Sequence, residues 1–302
     1  MLWNASYNIN NPKVVTCGSY IANADIGGKQ AYVFDSKGTT YPIETTQSII
    51  DVNVGNQGVI GLTVEGEDYN QIQLYNAITN TKLVEKQTVV QNDGYPVDVA
   101  LSNDAKKMVS SYVRIENGVL ESDVGFFNFT GVGDNYIDKL VGGEKFSQLI
   151  AHDVKFLGND TVLICTDKGF SMYEMEEIPS KLTSKTFDQE IQSMFYTNEY
   201  VGYIVKSEKE NSKGKMLLYN RKGKAILTKE IKFNYENVAM YGQDIIFTTE
   251  TDIYIVETNG RIKFKYKSNN PFVNLLPSSG KNEYMLITDH EIQHIKLVEE
   301  KK

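Results

Sequence analysis

His290-Glu291-Ile292-Gln293-His294 is the segment whose residue types and spacing come closest to known chemistry in this 302-residue chain. It fits H-E-x-x-H. On a helix, two histidines four residues apart share a face and hold one zinc ion, with the glutamate as general base. Here the flanking residues, Ile287-Thr288 and Ile295-Lys296-Leu297, are β-rich. On a strand the two histidines stand about 13 Å apart at ~3.3 Å per residue. They cannot share a zinc ion, and none is expected. Cys17 and Cys165 are the only cysteines, with no CxxC spacing, so neither a zinc knuckle nor a redox pair is indicated. They fall in different repeats and are expected as two free thiols. Ser102-Asn103-Asp104 begins like the turn box S-x-D-x-G-x-x-W, but Ala105 follows and Trp3 is the sole tryptophan. Gly131-Val132-Gly133 and Gly142-Gly143 lack the strand-then-helix setting of a phosphate loop. Of three histidines, only His152 opens a first strand of a repeat, where it reads as a structural residue. No catalytic residue, metal ligand or cofactor is expected from these motifs.

The elements that must carry these residues are strands. Short apolar segments closing on a large residue recur seven times: Ala31–Phe34, Ile72–Tyr75, Val124–Phe127, Phe170–Tyr173, Met216–Tyr219, Ile253–Val256 and Ile292–Ile295. Their ends lie 37 to 52 residues apart. Periods of roughly 40–50 residues indicate propeller blades of four strands. With A to D counted outward from the axis, A and B strands precede each marker, which is strand C. B strands such as Thr161–Thr166 and Ile245–Glu250 are almost continuously apolar, as strands covered on both faces must be. The reading is an all-β chain, a seven-bladed β-propeller of four-stranded antiparallel blades. It is expected as one domain over 1–302, with blades near 10–46, 48–90, 95–143, 149–187, 190–233, 235–270 and 272–297. The last repeat is one strand short. Residues 2–9 alternate, with Trp3, Ala5, Tyr7 and Ile9 on one side, and are expected to close the seventh blade.

Composition excludes several partners. Lysine and arginine number 31 against 39 acidic residues, a formal charge of −8, with no long basic run. Nucleic acid, whose phosphates demand a concentrated positive face, is therefore not expected. No stretch approaches the ~20 apolar residues of a membrane span, and no signal peptide opens the chain. The chain itself is expected to be soluble, with something removed upstream of Met1, because it begins inside a strand-like run.

Loop lengths suggest where a ligand would sit. In a four-stranded meander the B–C and D–A connections emerge at one end. The longer ones are Glu65–Asn70, Arg114–Ser122, Ser207–Lys215, Gln91–Pro96 and Gly142–Leu149. Insertions gathered on one face of a repeat protein mark its binding face. Asp25, Tyr69, Tyr95 and Arg114 are the candidate ligand-binding residues at that end.

Several segments together resemble a known bacterial family, that of domain of unknown function 5711. They are Asn11-Pro12-Lys13-Val14, Ala24–Lys29, Val54–Val59, Asp93-Gly94-Tyr95-Pro96, Asn128–Gly133 and Leu140–Gly143. The resemblance covers nearly the whole chain. It implies a propeller-like domain outside the cell behind an N-terminal membrane span, mostly in Gram-positive bacteria, and assigns no catalytic residues. Two functions follow as expectations. One is a non-enzymatic binding or scaffold module, extracytoplasmic and membrane-anchored in the native protein, for a protein or cell-wall glycan ligand. The other is a propeller-type hydrolase or lyase with a metal near the axis, supported by the acidic B-strand ends Asp25, Glu250 and Asp289. Fold alone does not choose between them.

Overall fold

The computed structural model describes residues 3–278 and 280–298. Leu2, the first residue of the expected closing strand, lies outside them. The chain forms consecutive antiparallel meanders. Sheet one is β1–β4 (Pro12–Cys17, Tyr20–Asp25, Gln30–Phe34, Thr40–Glu44) and sheet two β5–β8 (Ser48–Val54, Val59–Glu65, Asn70–Asn76, Thr81–Thr88). A single helical turn, Val90–Asp93, leads into sheet three, β9–β12 (Tyr95–Leu101, Lys107–Glu116, Val119–Asn128, Leu140–Ser147). Sheet four is β13–β16 (Ala151–Phe156, Thr161–Thr166, Gly169–Glu174, Ser180–Thr186). Sheet five is β17–β20 (Ile191–Tyr196, Tyr200–Val205, Gly214–Asn220, Ala225–Ile231). Sheet six is β21–β24 (Asn237–Tyr241, Asp244–Thr248, Asp252–Glu257, Ile262–Lys267), and sheet seven has three strands, β25–β27 (Asn274–Pro277, Glu283–Ile287, Ile292–Lys296).

The strand patterns explain this order. β14 is buried along its whole length and β6 along all but Glu65, as strands with a neighbour on each side and a covered face on each side should be. The fourth strands are polar and largely exposed, with Lys181 and Lys185 on β16 and Lys263, Lys265 and Lys267 on β24. Lysines on a terminal strand discourage further strand addition.

The chain divides into two compact units, Met1–Thr186 with sheets one to four and Phe187–Lys302 with sheets five to seven. In the first unit Ala22, Ala24, Ile49, Leu62 and Val64 form one cluster, and Phe126 meets Tyr173 at 4.9 Å between ring centres in another. In the second, Phe195, Leu218 and Phe247 form a cluster, and Ile253, Leu275 and Tyr284 another.

Three expectations are corrected. Residues 3–11 form no strand, so the N-terminal segment does not supply a fourth strand to sheet seven. Trp3 instead stacks on Phe34 of β3, with ring centres 6.0 Å apart, and Tyr7 packs against Tyr32 and Phe34. Gly38 makes the seat: a Cβ there would stand 2.8 Å from the indole. The segment Arg114–Ser122 is not a loop. β10 and β11 continue as a long hairpin turned by Asn117 and Gly118, both at positive φ (51° and 79°), as a type I′ turn requires. Gly142–Leu149 is likewise mostly strand, since β12 runs to Ser147.

Candidate functional site

The first strands of sheets two, three and four share an irregularity. Each slips register by one residue, leaving Ile50, Val97 and His152 unpaired, and each has an aspartate next, Asp51, Asp98 and Asp153, followed by valine. A bulge of this kind re-aims the side chain beside it. Here the carboxylates turn into a cavity of about 380 Å³ in the first unit, which Lys13, Tyr95, His152 and Lys155 also line. Sheet five bulges at the same register, between Ile191 and Ser193, but there the residue is serine.

Neighbouring first strands are tied together through these groups. Asn53 Nδ2 donates to the Val99 carbonyl, and Asp98 Oδ2 accepts from the Val154 N–H at 2.8 Å. Lys13 Nζ, from β1, donates to Asp51 Oδ1 at 2.5 Å. Lys155 Nζ lies 3.1 Å from Asp98 Oδ2 and 2.7 Å from Asp153 Oδ1. Asp98 and Asp153 thus meet on one ammonium group, Lys155 Nζ. Burial first, and then the Asp98 charge, push Asp153 up to about 6 against the pull of Lys155. Burial also raises Asp51, with Asp98 adding to the rise and Lys13 opposing it. At the rim Tyr95, 38% exposed, donates to Glu65 Oε1 at 3.3 Å. Its hydroxyl is raised by burial and by that carboxylate.

Of the four candidate residues from the sequence, the structure brings Tyr95 to this cavity. Asp25 Oδ1 accepts the N–H groups of Asn10 and Asn11 and organises the entry to β1. Tyr69 is half-buried in the β6–β7 turn, where its carbonyl accepts from Gly66 N–H. Arg114 lies on the β10–β11 hairpin, facing Glu116, Asp123 and Glu121 at 2.8, 3.2 and 3.5 Å. His152, read from sequence as structural, is an exposed bulge residue on the cavity wall. Asp51, Asp98 and Asp153 were not singled out by motif or loop length. The signal that finds them is the Asp-Val pair repeated at 51–52, 98–99 and 153–154.

The remaining motifs are not part of the cavity lining. His290 precedes β27 and His294 lies within it, on a turn and strand rather than a helix, and His294 Nε2 is 3.2 Å from Ser278 Oγ. Neither Cys17 nor Cys165 is in a disulfide; Cys165 is fully buried and Cys17 half-buried, with burial raising the Cys17 thiol. Among the described residues no group of three or more His, Cys, Asp or Glu side chains is arranged to hold a metal ion.

Solved structures with this chain's architecture are β-propellers. Sqt1 of Saccharomyces cerevisiae superposes with a TM-score of 0.58 at 12% identity, covering 94% of this chain and 84% of its own. The β-propeller domain of the Trilobed protease from Pyrococcus furiosus, described as having an open velcro topology, gives 0.53 at 13% identity, covering 95% and 96%. Hsv2 of Kluyvelomyces marxianus gives 0.54 at 12% identity, covering 83% and 73%. Identities this low speak for the fold alone, and with seven successive meanders they make this chain a β-propeller. No curated protein matches it in sequence. The match that spans the sequence is to a family profile: over residues 1–297 it fits the family of unknown function DUF5711, and the chain belongs to that family.

Proposed function

We propose that the protein is a non-enzymatic binding module, the extracytoplasmic domain of a membrane-anchored bacterial protein, that takes a protein or cell-wall glycan ligand over the cavity of its first unit. The observation that carries this reading is the convergence of polar groups from four successive first strands on one cavity. A concave site with a few convergent polar groups and a perturbed carboxyl is the default ligand site of a fold. Two observations support the docking end. Most of the cavity lining comes from the N-terminal halves of first strands, and Tyr95, which begins β9, stands at its rim. The β6–β7 turn with Tyr69 and the β10–β11 hairpin with Arg114 project at the same end of their meanders, where they would meet a large ligand. No helix among the described residues is long and apolar enough to cross a membrane, so the anchor would lie upstream. The net charge of −8 argues against a nucleic-acid ligand.

Screening the protein against peptidoglycan fragments, wall glycans and extracellular peptides tests this. A ligand whose binding is lost in Tyr95→Ala and Asp98→Asn but kept in His294→Ala supports the reading. Binding indifferent to the first two substitutions sinks it. The raised carboxyl of Asp153 favours a second reading, a hydrolase in which it exchanges a proton with substrate. Cleavage of a bound ligand, abolished by Asp153→Asn, would select that reading instead.

A further inference from the structure

The cavity of the first unit contains more negative than positive charge. Asp51, Asp98 and Asp153 face it, against Lys13 and Lys155. Lys13 is engaged by Asp51, and Lys155 is divided between the other two. Two ammonium groups cannot neutralise three carboxylates, and burial makes the surplus costly. A proton on Asp153, whose carboxyl burial raises, or a cation from outside would relieve the surplus. The other groups facing Asp98 and Asp153 are few. Tyr95 on β9 is turned to Glu65, His152 on β13 is solvent-exposed, and Thr63 on β6 is neutral. Among the described residues, β10 and β14, packed beside β9 and β13, add no titratable side chain to the lining.

We propose that this cavity binds the primary ammonium group of a small organic ligand beside Asp98 and Asp153, where it supplies the positive charge that the two lysines leave wanting. This rests on the cavity being the ligand site. An anion would have to break both lysine pairs. The volume, about 380 Å³, far exceeds that of a bare ion, and Ile50, Pro96 and Val97 add apolar wall beside the carboxylates. That combination fits a cationic head on a carbon skeleton. An ammonium group brings three N–H donors to the lone pairs of two carboxylates that one lysine, Lys155, now serves. Charge balances: below about pH 6 the ammonium enters and the proton of Asp153 leaves to solvent. Above that pH the carboxylate is already free and no proton is released.

The test is calorimetric titration of the whole protein with n-butylammonium chloride at pH 7.5, 5.5 and 5.0, each in buffers of different ionisation enthalpy. A Kd on the order of millimolar is expected for so small a probe. With the carboxyl near 6, affinity should fall about tenfold from pH 7.5 to 5.0, with close to one proton released at the lower pH. Asp153→Asn should lose binding and its pH dependence together. Equal affinity at pH 7.5 and 5.0, or no binding at pH 7.5, overturns the proposal in the wild-type protein without recourse to any variant. Competition by tetramethylammonium or potassium as strong as that of n-butylammonium also overturns it, since neither offers N–H donors. If a glycan or peptide binds through Tyr95 and Asp98 but n-butylammonium does not displace it, the binding-module reading stands and the ammonium proposal fails.

Discussion

Asp153→Asn should make the protein more stable above pH 6.5, although it removes a charged residue from a hydrogen-bonded cluster. The carboxyl rises from its ordinary 3.8 to about 6, burial being the largest cause. An acid whose value is raised by folding binds its proton more tightly in the native state. Its contribution to stability is fully present below 3.8 and is lost as pH climbs through about 6. At about 1.4 kcal/mol per pH unit this loss is up to ~3 kcal/mol. The side chain is 21% exposed and lies beside a second carboxylate on the same lysine, so about 1–2 kcal/mol is the reasonable magnitude. Asparagine mimics the protonated acid, with Oδ1 accepting from Lys155, and it cannot ionise. Urea unfolding followed by circular dichroism at pH 4.5, 5.5, 6.5 and 7.5 would show it. Wild-type and variant stabilities should coincide near pH 4.5 and diverge by about 1–2 kcal/mol at pH 7.5, the variant the more stable. Parallel curves, or a variant weaker at pH 7.5, would refute both the raised carboxyl and the sign of its contribution.

Lys107 is another buried charge in the first unit, its side chain 6% exposed, with Nζ donating to Asp160 Oδ1 at 2.5 Å and to the carbonyls of Met175 and Glu176 at 2.7 and 3.1 Å. Lys107→Met keeps the stem but strands those acceptors, and should cost about 3 kcal/mol, a fall of roughly 6–12 °C in Tm; a fall under 2 °C by calorimetry would show the site is wet. A thiol reagent should label Cys17 slowly in the native protein and Cys165 only on unfolding, because Cys165 is fully buried. Mass spectrometry showing both labelled at one rate would contradict that burial. Purified protein should contain no stoichiometric zinc, and the His290→Ala, His294→Ala double variant should have the same metal content as the parent. Zinc lost in that variant would mean the segment is not the turn and strand seen here.

The strand plan was legible because each repeat must bury its middle strands on both faces and leave its fourth strand to solvent. Thr161–Thr166 and Ser180–Thr186 show that contrast in composition alone. Local periodicity misleads where a segment has two outlets for the same apolar residues. Trp3, Ala5, Tyr7 and Ile9 alternate as a strand would, but the aromatic platform of Tyr32 and Phe34 and the bare backbone of Gly38 offer the indole and phenol rings a nearer seat. At 114–122 the missed signal was short-range: Asn117-Gly118 is a two-residue turn, and it converts an expected loop into ten-residue strands on either side.

The site was hidden for a different reason. A one-residue bulge shifts the alternation, but in strands of six or seven residues the shift is too short to tell from an irregular pattern, so Asp51, Asp98 and Asp153 read as ordinary polar positions on half-buried strands. Only comparing repeats shows Asp-Val returning in three successive first strands and giving way to Ser193-Met194 in the next. A repeat protein keeps its core by repeating apolar positions. A polar residue repeated at one bulge therefore has a cause other than packing, since burying each carboxylate costs free energy that an apolar side chain would not. The lysines reduce that cost without removing it, as the raised Asp51 and Asp153 show. The cavity is thus a place where the fold tolerates a destabilising arrangement. Such tolerated strain concentrates at functional sites. It is the physical ground for placing the ligand there rather than at the histidines of β27 or the glycine turns.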